Sequence, residues 1–232
     1  QLIRTAWPKN VATDVTLAWD FLRQNGIWQD HENLAVLRSG MATQFSGAAL
    51  SEANELLTQT LVTDNRIDYR SWTAIAVDDE QTTEVDDALA IRIADNGERT
   101  VAVFIADASY WVPEGQDVDC AALERATTVY LPEGKVPMLP PCLGQELASL
   151  VVGEDRLVLA FVFTLTPEGQ LLDFRIEEAV IQLSARLTYE TVDSIIDGAD
   201  HEYAEDVREL SRLADGFRTK RLQNGALILD RF

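Results

Sequence analysis

The sequence predicts an α+β fold, in which an antiparallel or mixed sheet is flanked by helices and preceded by a helical N-terminal segment. Apolar runs rich in β-branched residues, several of them alternating, lie in the middle of the chain. Apolar residues at helical spacing lie on either side of them. A series of strands followed by helices is typical of the α+β class. The 232 residues are 47% hydrophobic, which suits one domain with a small appendage.

Residues 1–62 are predicted to form the helical N-terminal segment. Apolar side chains recur at helical spacing across residues 15–24 and again across residues 49–60. The segment also contains three tryptophans: Trp7, Trp19 and Trp28. Such side chains can stack on RNA bases, but in a helical segment we interpret them as core residues.

Residues 63–232 are predicted to form the second domain. Its strands are predicted at residues 73–77, 88–94, 100–107, 156–166 and 171–183. The last two strands are joined by Pro167-Glu168-Gly169-Gln170, which predicts a hairpin turn. Helices are predicted at residues 119–127, with an acidic N-terminal cap, at residues 187–196 and at residues 203–217. The proline-containing stretch at residues 129–141 is predicted to be a loop.

Composition limits the classes of function. No apolar run is long enough to span a membrane. Cys120 and Cys142 form neither a disulfide framework nor a zinc pattern, which favours a reducing compartment, either the cytoplasm or an organelle. With His31 and His201 as the two histidines, catalysis by paired histidines is excluded. The net charge of −20 argues against nucleic acid as a partner by composition, although net charge says little about a local groove.

The most informative segment is an acidic loop between two predicted strands, residues 78–87. It places six carboxylates within ten residues: Asp78, Asp79, Glu80, Glu84, Asp86 and Asp87. Carboxylates this close repel one another, and a divalent cation with oxygen ligands, typically magnesium, would compensate for their charge. The loop does not match a calcium-binding EF-hand, because Thr83 takes the position that requires glycine. A solvated acidic turn is the alternative that composition alone leaves open.

Five short motifs follow one another in a fixed order along the chain. They are Asp-Asp-Ala-Leu at residues 86–89, Ile-Ala-Asp at 105–107, Tyr-Leu-Pro at 130–132, Pro-Met-Leu-Pro at 137–140 and Leu-Thr-Tyr-Glu at 187–190. This order and spacing resemble the catalytic domain of the ribonuclease II/R (RNB) family of exoribonucleases. The resemblance is strong from residue 66 to residue 192 and weaker as far as residue 227. It implies that the chain holds the N-terminal part of that domain and lacks its C-terminal end.

The resemblance implies magnesium-dependent, processive 3′–5′ hydrolysis of single-stranded RNA to nucleoside 5′-monophosphates. It assigns Asp78, Glu84, Asp86 and Asp87 as catalytic carboxylates and metal ligands for Mg²⁺, with two ions in the full site and Mn²⁺ as a substitute. Asp78 and Asp87 would ligate directly, and Asp86 would bind or orient the second ion and its attacking water. Glu84 departs from the family, which more often has aspartate there, and the extra methylene matters because metal geometry is sensitive to it.

Outside the acidic loop, the resemblance implies that Tyr130 stacks on the 3′-terminal base of the RNA, where a π-face grips any base. The alternative is that Tyr130 merely packs before a proline turn. Asp107 is predicted to be structural, and Arg186 either to contact phosphate or to cap a helix. The expected partners in the parent protein are single-stranded RNA, the remainder of the catalytic domain and a C-terminal OB-fold RNA-binding domain.

Two other functions remain open from the sequence. One is an RNB-like RNA-binding protein that is catalytically weak or inactive, which Glu84 and the acidic balance favour. The other is a metal-dependent phosphodiesterase that acts on nucleotides rather than on polymers. A requirement for magnesium in product formation separates the first from an exoribonuclease, and product analysis on poly(A) against a dinucleotide separates the second.

Overall fold

The computed structural model describes residues 15–29 and 32–228, which divide into two compact units at residue 45. The first unit contains helices α1 (Val15–Gln24) and α2 (Leu34–Ser39). The rings of Trp19 and Trp28 are half-buried and lie 5.3 Å apart between centroids, so these two tryptophans pack on each other. Trp7 lies outside the described residues.

The second unit begins with helix α3 (Gly47–Leu56), whose first turn is capped by Ser46. Ala49, Ala53 and Leu56 form its buried face and pack against side chains from later in the chain, among them Val118. By packing, α3 therefore belongs with the residues that follow it. The domain boundary predicted after residue 62 stays a prediction.

The six-stranded sheet confirms the predicted α+β class. Its strands are β1 (Ile67–Asp68), β2 (Ala74–Asp78), β3 (Asp87–Ile93), β4 (Arg99–Ala106), β7 (Asp155–Leu165) and β8 (Leu171–Thr188), in the order β1-β8-β2-β3-β4-β7. β8 pairs with β7 through its first part and with β2 through its last part, so the sheet closes on itself. The sheet is mixed, because β1 and β2 run parallel to β8 while the other pairs are antiparallel.

The interior of the closed sheet is lined largely by alanine. The alanines that are at most 1% exposed on β2, β3, β4, β7 and β8 are Ala74, Ala76, Ala88, Ala90, Ala102, Ala160 and Ala179. Few strands enclose little space, and such small side chains leave room for the fully buried Phe104. Phe104 lies 5.6 Å from Tyr69 between ring centroids, and both belong to the main core.

Of the remaining helices, the two that follow β8 pack on the outer face of the sheet, and the two that precede β7 pack against α3. α4 spans Asp117–Arg125, a π-helix spans Leu143–Ala148, α5 spans Tyr189–Ile196 and α6 spans Ala204–Gln223. Ile195 of α5 and Val207 of α6 pack with Ile75 of β2, and Leu213 of α6 packs with Ile91 and Leu165. Among the described residues, no helix is both long enough and apolar enough to cross a membrane.

Two predicted elements differ from the structure in kind. The loop predicted at residues 129–141 contains a hairpin of β5 (Val129–Leu131) and β6 (Gly134–Val136). Its proline falls in the turn, at Pro132, where a fixed φ is favourable and no ladder hydrogen bond is lost. The acidic cap predicted for α4 is also wrong, because the N-cap is Gln116 and Asp119 instead accepts a hydrogen bond from the Gly115 N–H at 2.8 Å.

Candidate active site

The acidic loop joins β2 to β3 at one edge of the sheet. Asp78 is the last residue of β2, and Asp87 is the first residue of β3. Because β2 and β3 are antiparallel neighbours, the end of one and the start of the other lie at the same edge. Tertiary structure thus places Asp78 beside Asp87, although nine positions separate them in the sequence.

The backbone on the N-terminal side of Asp87 is held firmly. The side chain of Val85 is buried in the main core, its N–H donates to the Ser149 hydroxyl at 2.9 Å, and its carbonyl accepts from the Leu150 N–H at 2.8 Å. The carbonyl of Asp86 accepts from the Ala106 N–H at 2.8 Å, which prolongs the β3–β4 ladder. Asp86 therefore has a fixed backbone although its side chain contacts solvent.

Replacing Ser149 with alanine is expected to lower the free energy of unfolding by about 1–3 kcal/mol, because the buried Val85 N–H loses its acceptor. Urea unfolding of both proteins measures the difference. Ser194→Ala is the control, since that hydroxyl bonds within exposed helix α5 and its loss is expected to change stability by about 0.5 kcal/mol or less. Equal stabilities for the two variants would contradict the proposed anchoring of Val85.

The carboxylates of the loop interact electrostatically. Partial burial is the main cause that raises the pKa of Asp86, and the negative charges of Glu84, Asp87 and Asp78 raise it further, while Lys135 opposes them. Partial burial also raises the pKa of Asp78; Arg186 lowers it and Asp87 raises it. Asp86 thus lies where the fields of three other carboxylates add, which is a favourable location for a cation.

Arg186 of β8 holds the backbone of the acidic loop through hydrogen bonds. One of its guanidinium nitrogens donates to the backbone carbonyl of Asp79 at 2.6 Å and to that of Glu80 at 3.3 Å. The structure places it neither at a helix end nor against a neighbouring carboxylate within ion-pair distance among the described residues. Its role here is to fix the turn of the acidic loop and to offset the charge of Asp78.

Glu84 is directed to another partner. Its Oε1 atom lies 2.9 Å from the Lys135 ammonium on β6 and 3.5 Å from the Gln145 amide nitrogen on the π-helix. Gly144 passes close to the same oxygen, since a Cβ atom built there would lie 3.3 Å from it. The Glu84 side chain is 16% exposed, so this carboxylate is largely enclosed by the hairpin and the π-helix.

Two cavities share Glu84 as a wall. One, of about 550 Å³, lies between residues 81–84 of the acidic loop and the β5–β6 hairpin, and Tyr130 lines it. The other, of about 270 Å³, is lined by Asp86 and by residues of β4 and the π-helix. Tyr130 is 75% exposed and lies directly opposite Lys135 in the hairpin register. The exposed aromatic and the carboxylates therefore border one continuous region of the surface.

The donor set fits a hard divalent cation in its chemistry, because Asp78, Asp86 and Asp87 offer carboxylate oxygens alone. Within residues 15–29 and 32–228, no three His, Cys, Asp or Glu side chains converge closely enough to hold a metal ion by themselves. Magnesium usually binds through one or two carboxylates together with waters and substrate phosphates. A site here would thus need such additional ligands, and the assignment of the four predicted ligands stays a prediction.

Asp107 lies next to the site and has a structural role, as predicted. Its carboxylate, 5% exposed, lies 2.8 Å from the Arg66 guanidinium and accepts hydrogen bonds from the Ser109 hydroxyl and the Tyr110 N–H. Burial alone would raise the pKa of Asp107, but hydrogen bonds from Ser109 and Arg66 outweigh it and hold the pKa below its ordinary value. The pair fixes the end of β4 next to the residue that bonds Asp86.

Sequence reasoning does not identify Lys135, Gln145 or Gly144 as partners of the site, because it predicts residues 129–141 to be a loop and assigns no element to residues 143–148. One signal for Lys135 was available. The chain has three lysines, Lys9, Lys135 and Lys220, and Lys135 lies between the Tyr-Leu-Pro and Pro-Met-Leu-Pro motifs. An isolated cation between motifs in so acidic a chain is a candidate partner for the acidic loop.

One family profile and several individual proteins are similar to this chain. The RNB domain profile matches residues 66–232. An uncharacterized ribonuclease from Synechocystis sp. is 33% identical over 179 residues, which cover 76% of this chain and 27% of that protein. A protein of Arabidopsis thaliana named Inactive exonuclease DIS3L2 is 33% identical over 181 residues, covering 71% of this chain and 17% of that protein. The chain thus spans about a quarter or less of the length of these relatives.

A solved structure supports the fold. Mycoplasma genitalium RNase R in complex with ribose-methylated single-stranded RNA superposes with a TM-score of 0.76 at 21% identity. The superposition covers 84% of this chain and 32% of that protein. The similarity in fold therefore extends over most of this chain.

Proposed function

Since this chain belongs to the RNB domain family, we propose that it forms part of an exoribonuclease that hydrolyses single-stranded RNA processively from the 3′ end to nucleoside 5′-monophosphates. The observation that carries the proposal is the arrangement of Asp78, Asp86 and Asp87 at one sheet edge, beside a cavity lined by the exposed Tyr130. Carboxylates suited to a cation and an aromatic face suited to a base are what RNA end hydrolysis needs.

We propose Mg²⁺ as the cofactor, with Mn²⁺ as a substitute; Asp78, Asp86 and Asp87 are the candidate ligands, of which one or two bind the ion together with water and an RNA phosphate. Glu84, the fourth predicted ligand, joins them only if Lys135 releases it. When bound, the metal would supply charge neutralisation on the phosphoryl oxygens and a more acidic water. The chain itself contributes the rigid backbone at Asp86 and the Arg186 brace, which fix where the carboxylates point.

The binding of RNA by so acidic a chain requires help from elsewhere in the protein. Affinity for the RNA backbone comes mainly from lysine and arginine, and the chain has 19 of these against 39 acids. We propose that the remainder of the catalytic domain and an OB-fold domain of the parent protein supply the missing positive charge. Cys120 and Cys142 are both free thiols, which agrees with a reducing compartment such as the cytoplasm.

Tyr130→Ala is expected to raise the KM for single-stranded RNA by roughly 10- to 100-fold, because one base–aromatic stacking contact contributes about 1–3 kcal/mol. Steady-state kinetics on a homopolymer measures the change. Tyr130→Phe keeps the π-face and is expected to retain the KM within about threefold. If alanine and phenylalanine gave the same KM, Tyr130 would not be a stacking residue.

The proposed reaction is tested with the complete protein and 5′-labelled single-stranded RNA, incubated with magnesium and with a chelator in its place. A ladder that shortens from the 3′ end only with magnesium, with mononucleotides as product, is the expected result. Products from a dinucleotide but none from poly(A) would indicate a nucleotide phosphodiesterase instead. The absence of products with both substrates, with RNA still retained on a filter, would contradict catalysis.

The second candidate is an RNB-like protein that binds RNA but is catalytically weak or inactive. The observation that favours it is the ion pair between Glu84 and Lys135, which occupies one of the four predicted metal ligands. One relative, which is 33% identical to this chain, is named Inactive exonuclease DIS3L2. Filter retention of RNA without product formation, at every magnesium concentration, is the result that this candidate predicts.

A further inference from the structure

We propose that the Lys135 ammonium takes the place of a second divalent ion on Glu84, so that this site binds one metal ion rather than two. This inference rests on the proposed metal-dependent function and refines it. Lys135 is then a positioning residue, and Glu84 is its partner rather than a ligand. The single ion is then bound by one or two of Asp78, Asp86 and Asp87, with water and an RNA phosphate as its other ligands.

The first argument is the geometry at Glu84. Its Oε1 atom receives Lys135 at 2.9 Å and lies 3.5 Å from the Gln145 amide. Both groups carry positive charge or a partial positive charge, as a metal ion would, and both approach from the hairpin and π-helix side. An ammonium is a compact point charge, which makes it a suitable substitute for a cation on a single carboxylate.

The second argument is the enclosure of this pair. The side chains of Glu84 and Lys135 are 16% and 26% exposed, so an ion pair here is screened by solvent less than one on the open surface. Gly144 lies against the same carboxylate, since a Cβ atom built there would be 3.3 Å from the Glu84 oxygen. The charge of the pair is therefore weakly screened, and a second ion at this oxygen would have to displace the ammonium.

The third argument is the residue type at position 84. Glutamate is longer than aspartate by one methylene, and here that length brings the carboxylate into contact with Lys135 on β6. Lys135 lies opposite Tyr130 in the hairpin, so the same ion pair ties the exposed aromatic to the acidic loop. The glutamate at position 84, where the family more often has aspartate, and the lysine at position 135 thus form one ion pair.

The test counts bound Mn²⁺ by electron paramagnetic resonance, using the complete protein with a fully phosphorothioate-linked single-stranded oligoribonucleotide. We expect one bound ion in the wild-type protein and in Lys135→Arg, which keeps the positive charge. Lys135→Met removes the charge and is expected to gain a second ion on the released Glu84. Lys220→Met, an exposed lysine on α6 outside the site, is the matched control and is expected to bind one ion.

Glu84→Gln provides a second test that does not depend on how well Lys135→Met folds. The loss of an outer partner of a metal ligand weakens metal binding by about 10- to 100-fold, and the loss of a direct ligand at least as much. We expect the Mn²⁺ Kd of Glu84→Gln to stay within about threefold of wild type. One ion in a correctly folded Lys135→Met, or a large loss of affinity in Glu84→Gln, would overturn the inference.

This experiment distinguishes a failure of the one-ion inference from a failure of the proposed function. Two ions in the wild-type protein, one of them lost in Glu84→Gln, would make Glu84 a ligand and leave metal-dependent hydrolysis intact. No bound ion in the wild-type protein, in Lys135→Arg and in Lys220→Met would instead remove the metal site, and with it the proposed function.

Discussion

Asp86→Asn is expected to reduce the rate of RNA hydrolysis by about 10³-fold or more while RNA binding stays within about threefold of wild type. The pKa of Asp86 is raised by partial burial and by three neighbouring acids, so its carboxylate is where a cation relieves the most repulsion. The amide keeps the shape but removes the charge. Cleavage of 5′-labelled RNA under single-turnover conditions measures the rate, and filter binding in a chelator measures affinity.

Glu80→Gln is the matched control for this prediction. Glu80 is an exposed acid of the same loop whose backbone carbonyl, and not its side chain, is used by Arg186. We expect this variant to hydrolyse RNA at close to the wild-type rate. A wild-type rate in Asp86→Asn would show that the acidic loop is not the catalytic centre.

Asp107→Asn is expected to lower the free energy of unfolding by about 3–5 kcal/mol at pH 7, because it removes the shorter ion pair of the buried Arg66 and leaves only the exposed Glu178, at 3.7 Å, as its carboxylate partner. The Arg66 side chain is 8% exposed, so water cannot replace the lost carboxylate. For a chain of this size the loss corresponds to a fall in Tm of roughly 6–20 °C. Urea and thermal unfolding of the two proteins give both numbers.

The pH dependence of the same variant has a defined sign. The pKa of Asp107 lies below the ordinary value of 3.8, so the folded state binds this proton less readily than the unfolded state. The stabilisation is therefore complete above pH 3.8 and is lost as the pH falls through the lowered pKa. The difference in stability between wild type and Asp107→Asn should accordingly be constant from pH 7 to about pH 5 and shrink toward pH 3.

Asp68→Asn serves as the control for burial. Asp68 also pairs with an arginine, Arg70, at 2.7 Å, but its side chain is 57% exposed. Solvent screens such pairs, and no measurable loss of stability is expected. A loss for Asp68→Asn as large as that for Asp107→Asn would mean that burial is not the origin of the effect.

The central strands and the α+β class could be predicted from local sequence because their signals are local. Alternation of apolar residues in residues 100–107 and the Pro-Glu-Gly-Gln turn before β8 identify their elements directly. The β5–β6 hairpin was missed because its strands are three residues long and prolines lie in its turn and directly after it. The end of β8 was placed five residues early, since its last part is held by pairing with distant β2.

The candidate site can likewise be predicted from the sequence only where its signal is local. The acidic loop is recognisable because its carboxylates lie close together in the sequence. The residues on either side predict the strands that flank it. The partners that hold it come from elsewhere: Ser149 and Gln145 are more than 60 residues from their contacts, and Arg186 is 107 residues from Asp79. Contacts across such separations depend on topology, which single-sequence patterns do not encode.

The pairing of β2 with the last part of β8 has a consequence for assembly of the molecule. Asp78 pairs with Thr188 across 110 positions of chain, and Arg186 comes from the same stretch of β8. A contact of such span forms only after a long loop closes, at a cost in chain entropy that local hairpins avoid. A nascent or truncated chain that stops before residue 183 lacks both the part of β8 that pairs with β2 and Arg186, which holds the acidic loop. The acidic loop, with its mutually repelling carboxylates, thus reaches its native conformation only when the closed sheet is complete.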